Sequence, residues 1–165
     1  LGGKSMRKFL TILLSGILIL AQGVITFAAD GIEDEQQYEM VENTDWLPGE
    51  MSENTDISTC TLYIADIYTS IVKVSSTQVS IYAETVCSQK VKSIKVIYIL
   101  QKWNGSKWVD IVSRTATAYD VSSTHKSYTI SGLGTGKYRC KASAVATGYN
   151  GYAEGLAGYS GSISL

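Results

Sequence analysis

The stretch Val96-Ile97-Tyr98-Ile99-Leu100-Gln101-Lys102-Trp103-Asn104-Gly105-Ser106-Lys107-Trp108-Val109 decides the fold. Its first five residues are apolar at successive positions, which is typical of a central strand covered on both faces. Asn104-Gly105 then favours a tight turn, because both residues tolerate positive φ. The stretch therefore predicts an antiparallel hairpin of Lys92–Trp103 against Lys107–Tyr119.

Alternating apolar and polar residues continue on both sides of this hairpin. Gly132–Gly136 and Gly148–Gly151 are turn signals between the later segments. Short strands at regular spacing predict an all-β fold, a single antiparallel β-sandwich of about eight strands over residues 57–165. The other expected strands are Cys60–Ile67, Ser70–Ser75, Gln78–Val86, Lys126–Ser131, Lys137–Thr147 and Ala153–Leu165.

Residues 6–28 have the pattern of a signal peptide. Met6-Arg7-Lys8 is a short positive segment, and the apolar run Phe9–Ala21 follows it. Thr26 and Ala28 offer small side chains where signal peptidase needs them, so cleavage is expected after Ala28. A retained membrane anchor is the alternative, although the apolar run is short for the about 20 residues that span a bilayer. The mature protein is therefore expected outside the cell, secreted or cell-wall associated, without a stable membrane anchor.

Residues 1–5 precede the positive segment and suggest an untranslated leader. Gly2-Gly3 can be encoded by a GGAGG ribosome-binding site, and Leu1 by the alternative start codon TTG. We therefore expect Met6 to be the true first residue and the source to be a Gram-positive bacterium.

Charge divides the mature chain into two parts. Residues 29–56 contain ten acidic and no basic residues, whereas residues 57–165 contain eleven basic and five acidic ones. The acidic part is expected to be a flexible linker, with a short helix over Glu33–Val41 left open. It either stays solvated or folds back on a basic face of the domain.

Three cysteines remain after cleavage: Cys60, Cys87 and Cys140. An odd number does not close an intramolecular framework, and their separation argues against a metal site. Strand alternation places Cys87 and Cys140 on inward-facing positions. They are expected either as buried thiols or, if any pair forms, as a Cys87–Cys140 disulfide.

Catalytic chemistry is not indicated, and no cofactor is expected. The single histidine, His125, lies in an expected polar turn, and the five acidic residues of the domain are scattered. We therefore expect a protein that is not an enzyme.

Aromatic residues favour binding instead. Trp103 and Trp108 flank the Asn104-Gly105 turn, where they either cap one end of the sandwich or form an exposed platform for glycan. Tyr98, Arg139 and Lys141 are further candidate binding residues, the two cations favouring an anionic envelope polymer. Nucleic acid is not an expected ligand for an exported chain of net charge −1.

The hairpin also carries a resemblance. Leu100-Gln101-Lys102-Trp103, the Asn104-Gly105 turn and Trp108-Val109, followed later by Gly136, Tyr138-Arg139-Cys140 and Glu154, resemble small secreted Firmicutes proteins of domain-of-unknown-function family 6147. The resemblance covers residues 57–165. It implies a β-sandwich and no assigned activity. Cys87 and Cys140 replace small or β-branched residues of the pattern, which favours buried thiols.

Together these features predict a secreted, non-enzymatic extracellular or cell-envelope binding or structural module with cell-wall glycan as a candidate ligand. The alternative is a small secreted effector of bacteriocin-like or toxin-like type.

The secreted protein is expected to begin at Ala29, because Thr26 and Ala28 suit the peptidase and Phe27 does not. N-terminal sequencing of the secreted form checks this. An N-terminus at Met6 would contradict cleavage.

Overall fold

The computed structural model describes residues 37–44, 52–53 and 62–165. The predicted leader and signal peptide lie outside the described residues, as do Trp46 and Cys60. The described residues are 80% strand and contain no helix, so none that could span a membrane. The predicted all-β fold is therefore confirmed. The strands are β1 (Glu39–Asn43), β2 (Ser52–Glu53), β3 (Ile64–Ser75), β4 (Gln78–Trp103), β5 (Trp108–Ser131), β6 (Lys137–Thr147) and β7 (Ala153–Ser164).

These strands form one antiparallel sheet built on a long hairpin. The order is β1-β5-β4-β3-β2, with β6 also paired to β4 and β7 to β6. β4 and β5 have 26 and 24 residues, twice the length of any other described strand. β3 and β6 both pair with the edge of β4 that faces away from β5. β3 pairs with the first half of β4, and β6 pairs with its second half.

The central hairpin bends near its middle. The β4–β5 register is broken between Val86 and Val91, and Asp120 on β5 has a φ of 55°. Irregularities of this kind bend a strand and increase its twist. On β6, Cys140 Sγ donates to the carbonyl oxygen of Tyr82, in the first half of β4, at 3.7 Å. The sheet therefore folds over itself into two facing layers that share β4 and β5.

The core lies between these two layers. Along β6 the buried residues alternate with partly exposed ones, as a half-buried strand requires. Tyr98 and Tyr138 are the largest fully buried side chains. Removing a large apolar side chain from water contributes about 1.5–3 kcal/mol to the free energy of unfolding. The large aliphatic side chains that are fully buried are Ile64, Ile67, Val79, Ile81, Val91, Ile94, Val96, Leu100, Ile130 and Leu133.

Several predicted strands join into longer ones. Cys60–Ile67 with Ser70–Ser75, Gln78–Val86 with Lys92–Trp103, and Lys107–Tyr119 with Lys126–Ser131 correspond to β3, β4 and β5. The expected break in β4 is a register shift within a continuous strand, whereas the β3–β4 pairing continues without a shift from Ile67 to Ser70. The eight expected strands of residues 57–165 therefore become five, and β1 and β2 of the acidic segment bring the described total to seven.

The acidic segment contributes two strands, β1 and β2. Glu39–Asn43 pairs with Ser127–Ser131 of β5, and Met40 is buried against the core. Glu42 forms an ion pair with Lys126, which matches the expectation that acidic residues fold back on basic ones. Residues 39–43 are therefore not a flexible linker, and a helix over Glu33–Val41 is wrong at its described C-terminal end. Ladder hydrogen bonds and burial of Met40 outweigh the local charge.

A close contact joins β3 to β7, which are not ladder partners. The carboxylate of Glu154 accepts hydrogen bonds from the backbone N–H groups of residues 62, 63 and 64, at 3.1, 2.5 and 2.9 Å. Farther along, Gly158 lies directly against Ile67. This contact closes the layers at the β3 side. At the β1 side, Arg114 Nη2 donates to the carbonyl oxygen of Met40 at 3.3 Å.

Gly158→Ala is expected to lower the free energy of unfolding by about 1–3 kcal/mol. A Cβ at this position would lie 2.8 Å from Ile67 Cγ2 and 3.3 Å from the Ile67 carbonyl oxygen. Gly161→Ala is the matched control, because its Cβ would meet no atom within 4 Å. Urea unfolding measures both variants, and equal losses would contradict the close approach.

Glu154→Gln is expected to destabilise the fold by about 1–3 kcal/mol, because three amide donors lose a charged acceptor. Glu39→Gln, at an exposed position on β1, should change the free energy of unfolding by less than about 0.5 kcal/mol. The same urea titration separates them. Indistinguishable midpoints would show that Glu154 does not hold β3 to β7.

Candidate binding surface

The two tryptophans meet at the end of the central hairpin. Trp103 and Trp108 are directly opposite in the β4–β5 register, and their ring centroids lie 5.4 Å apart at 62°. Asn104 shapes the turn between them, since its Oδ1 accepts from the backbone N–H of Ser106 and Lys107, at 3.0 and 2.9 Å. Gly105 takes a φ of 100°. The predicted Asn-Gly turn is therefore present, and the two tryptophans form a cross-strand pair.

Arg139 brings β6 and β7 to the same surface. Its Cζ lies 4.4 Å from the ring centroid of Trp108 and 4.5 Å from that of Tyr159. Trp108 is on β5 and Tyr159 is on β7, so the rings approach from strands on opposite sides of β6. A guanidinium over an aromatic ring is attracted by the ring quadrupole, by about 0.5–2 kcal/mol. We call Trp103, Trp108, Arg139 and Tyr159 the aromatic–arginine surface.

Polar residues hold Arg139 in place. Its Nε donates to Gln101 Oε1 at 2.7 Å, and Gln101 Nε2 donates in turn to Asp110 Oδ1 at 2.5 Å. Lys141 Nζ lies 4.0 Å from Asp110 Oδ2. Burial lowers the pKa of Arg139, while Tyr159 and Asp110 act in the opposite direction. The side chain remains a cation, because an arginine guanidinium does not lose its proton in proteins.

Exposure separates this surface from the core. Trp103 and Tyr159 are 37% and 39% exposed, and Trp108 and Arg139 are partly exposed. Neither tryptophan is among the residues that pack in or against the core. This favours the platform over the alternative in which the tryptophans cap the sandwich.

Tyr98 does not belong to the surface. It is fully buried and packs against the ring edge of Tyr128, with centroids 5.1 Å apart. Within the part of the chain that the structure describes, its hydroxyl has no hydrogen-bond partner. Burial raises the pKa of this phenol. Its prediction as a binding residue is wrong, because residue 98 is in phase with inward-facing Ile94 and Val96.

Tyr159 belongs to the aromatic–arginine surface, and Gln101 and Asp110 support Arg139 through hydrogen bonds. No sequence pattern indicates any of these three residues as a candidate. Gln101 and Asp110 are opposite each other in the β4–β5 register, which the hairpin pattern implies. Tyr159 reaches Arg139 because the β6–β7 register shifts between Arg139 and Lys141. No local residue pattern indicates that shift.

Cys87 and Cys140 are buried free thiols, which confirms the first expectation, and the alternative of a disulfide between them is wrong. Cys140 lies beside Tyr82. Tyr82 is five residues before Cys87 on β4, about 16 Å at 3.3 Å per residue, whereas a disulfide needs Cα atoms within about 7 Å. Burial raises the pKa of Cys140 to about 12 and also raises that of Cys87, with a smaller contribution from Glu154. Both thiols are therefore protonated and unreactive at neutral pH.

His125 and Asp120 lie outside the aromatic–arginine surface. His125 lies on β5 rather than in a turn, with its ring centroid 6.0 Å from that of Tyr82. Asp120, in a shallow depression at the bend, accepts a hydrogen bond from the Tyr149 hydroxyl at 2.7 Å. The described residues contain no group of three or more His, Cys, Asp or Glu side chains that could hold a metal ion.

No protein-family model matches this chain, and no curated protein is significantly similar to it.

Proposed function

We propose that this chain is a secreted, non-enzymatic binding module whose aromatic–arginine surface binds cell-wall glycan. The observation that carries the proposal is the exposure of Trp103 and Tyr159 beside a guanidinium that the rings of Trp108 and Tyr159 contact. Aromatic faces stack on the apolar faces of sugar rings. The predicted signal peptide and the resemblance to secreted Firmicutes proteins support an extracellular location.

The aromatic–arginine surface is rigid, so little conformational entropy is lost when its side chains bind a ligand. Its residues lie on four strands that are adjacent in the sheet in the order β5, β4, β6 and β7. Each of these strands is hydrogen-bonded to the next. Side chains held on strands are placed more precisely than side chains on loops. A ligand therefore meets a preformed surface, and less conformational entropy is lost on association.

The proposal is tested by calorimetric titration of the mature protein with soluble fragments of purified Gram-positive cell wall. Trp103→Ala and Trp108→Ala are each expected to weaken binding at least about tenfold, equivalent to about 1.4 kcal/mol. Trp103→Ala removes an exposed ring, and Trp108→Ala also removes a contact of Arg139.

Tyr152→Ala is the matched control, because Tyr152 is 68% exposed in the turn between β6 and β7, at the other end of β6 from Arg139. It should bind as the unsubstituted protein does. Thermal unfolding confirms that each variant folds. Absence of binding by the unsubstituted protein, or equal loss in all three variants, would contradict the proposal. Killing of related bacteria without wall binding would favour a secreted effector.

A further inference from the structure

Arg139 has hydrogen-bonding capacity that the described part of the protein does not use. Of its five N–H groups, Nε–H donates to Gln101. Its contacts with Trp108 and Tyr159 are made with aromatic rings and involve no oxygen acceptor. Within the described ranges, the structure contains no hydrogen bond or ion pair from Nη1 or Nη2. The terminal edge of a fixed, partly buried guanidinium is therefore open to an acceptor.

Cations continue from Arg139 along the same face of β6. Lys137, Arg139 and Lys141 occupy alternate positions, while Tyr138 and Cys140 between them are buried. Alternate residues on a strand project from one face at intervals of about 6.6 Å. Among the described contacts of this row, Asp110 supplies the one carboxylate, at 4.0 Å from Lys141 Nζ. The face therefore carries more positive than negative charge beside the aromatic rings.

We propose that the glycan or polyol polymer bound here is anionic, and that the terminal nitrogens of Arg139 bind its carboxylate or phosphate groups. This inference rests on the proposed function. A guanidinium presents two parallel N–H groups that match two oxygens of a carboxylate or phosphate, and such paired bonds are about twice as strong as neutral ones. Lys137 and Lys141 lie where neighbouring charges of an extended polymer pass, and Trp103 and Tyr159 contact its uncharged parts.

The geometry makes arginine specific at this position. Gln101 orients the guanidinium through Nε, and the two rings contact it from β5 and β7. A lysine has neither the Nε donor nor the planar fork, although it retains the charge. Arg139→Lys therefore separates recognition by a fixed fork from simple attraction to a positive surface.

The test compares three polymers in the same calorimetric titration: poly(glycerol phosphate), polygalacturonate and a neutral N-acetylglucosamine oligosaccharide. The first two distinguish phosphate from carboxylate as the bound group. Arg139→Gln is expected to weaken binding of the preferred anionic polymer at least about tenfold, and Arg139→Lys about as much. Binding of the neutral oligosaccharide should change less than about threefold. Trp103→Ala should weaken all polymers that bind.

Lys95→Gln is the matched control, because Lys95 is an exposed cation on β4 opposite Val145, far along the strand from Gln101. It should alter anionic binding less than about threefold at 0.15 M salt. Equal losses in Lys95→Gln and Arg139→Gln, or tighter binding of the neutral oligosaccharide than of either anionic polymer, would overturn the inference while leaving the proposed function intact. Failure of all three polymers to bind would contradict the proposed function itself.

Discussion

The backbone ladder between β4 and β5 is the constraint on which the rest of the structure depends. It runs from Val79–Ile130 at one end to Trp103–Trp108 at the other and is interrupted between Val86 and Val91. Because the same two strands belong to both layers, the chain turns from one layer into the other while most backbone groups keep their partners. The layers can therefore separate only at their outer strands. Glu154 and Arg114 form hydrogen bonds at those two places.

This arrangement also explains where the candidate surface lies. Residues that point inward in the second half of β4 and β6, such as Tyr98 and Cys140, are enclosed by the first half of the hairpin. Side chains on a strand alternate between its two faces. Gln101, next to Leu100, and Arg139, next to Cys140, therefore point away from the core. Since β5, β4, β6 and β7 are adjacent in that order, Trp108 and Tyr159 come within reach of one guanidinium.

The sequence predicts those features that depend on local periodicity. Lys137–Thr147 alternates cleanly, and the predicted bounds of that strand are those of β6. Tyr98 lies in a continuous apolar run, where periodicity does not distinguish inside from outside. Ser122–Lys126 resembles a turn, yet it continues β5, because pairing with β4 satisfies its backbone whatever its side chains are. The contact between Arg139 and Tyr159 depends on a register shift, which arises from tertiary packing.

The way Arg139 is held leaves its terminal nitrogens available to solvent or to a ligand. Placing a guanidinium against two rings removes part of its hydration, and a partly buried charge is compensated when its N–H groups are hydrogen-bonded. Here Gln101 satisfies Nε while both terminal nitrogens lack an acceptor in the described part of the chain. Gln101 is itself 5% exposed and needs Asp110 as a partner. An apolar side chain at residue 139 would pack against Trp108 and Tyr159 without any of these requirements. Water reaches the terminal nitrogens of this partly exposed side chain in the free protein, and the proposed ligand would replace that water with its own oxygen acceptors.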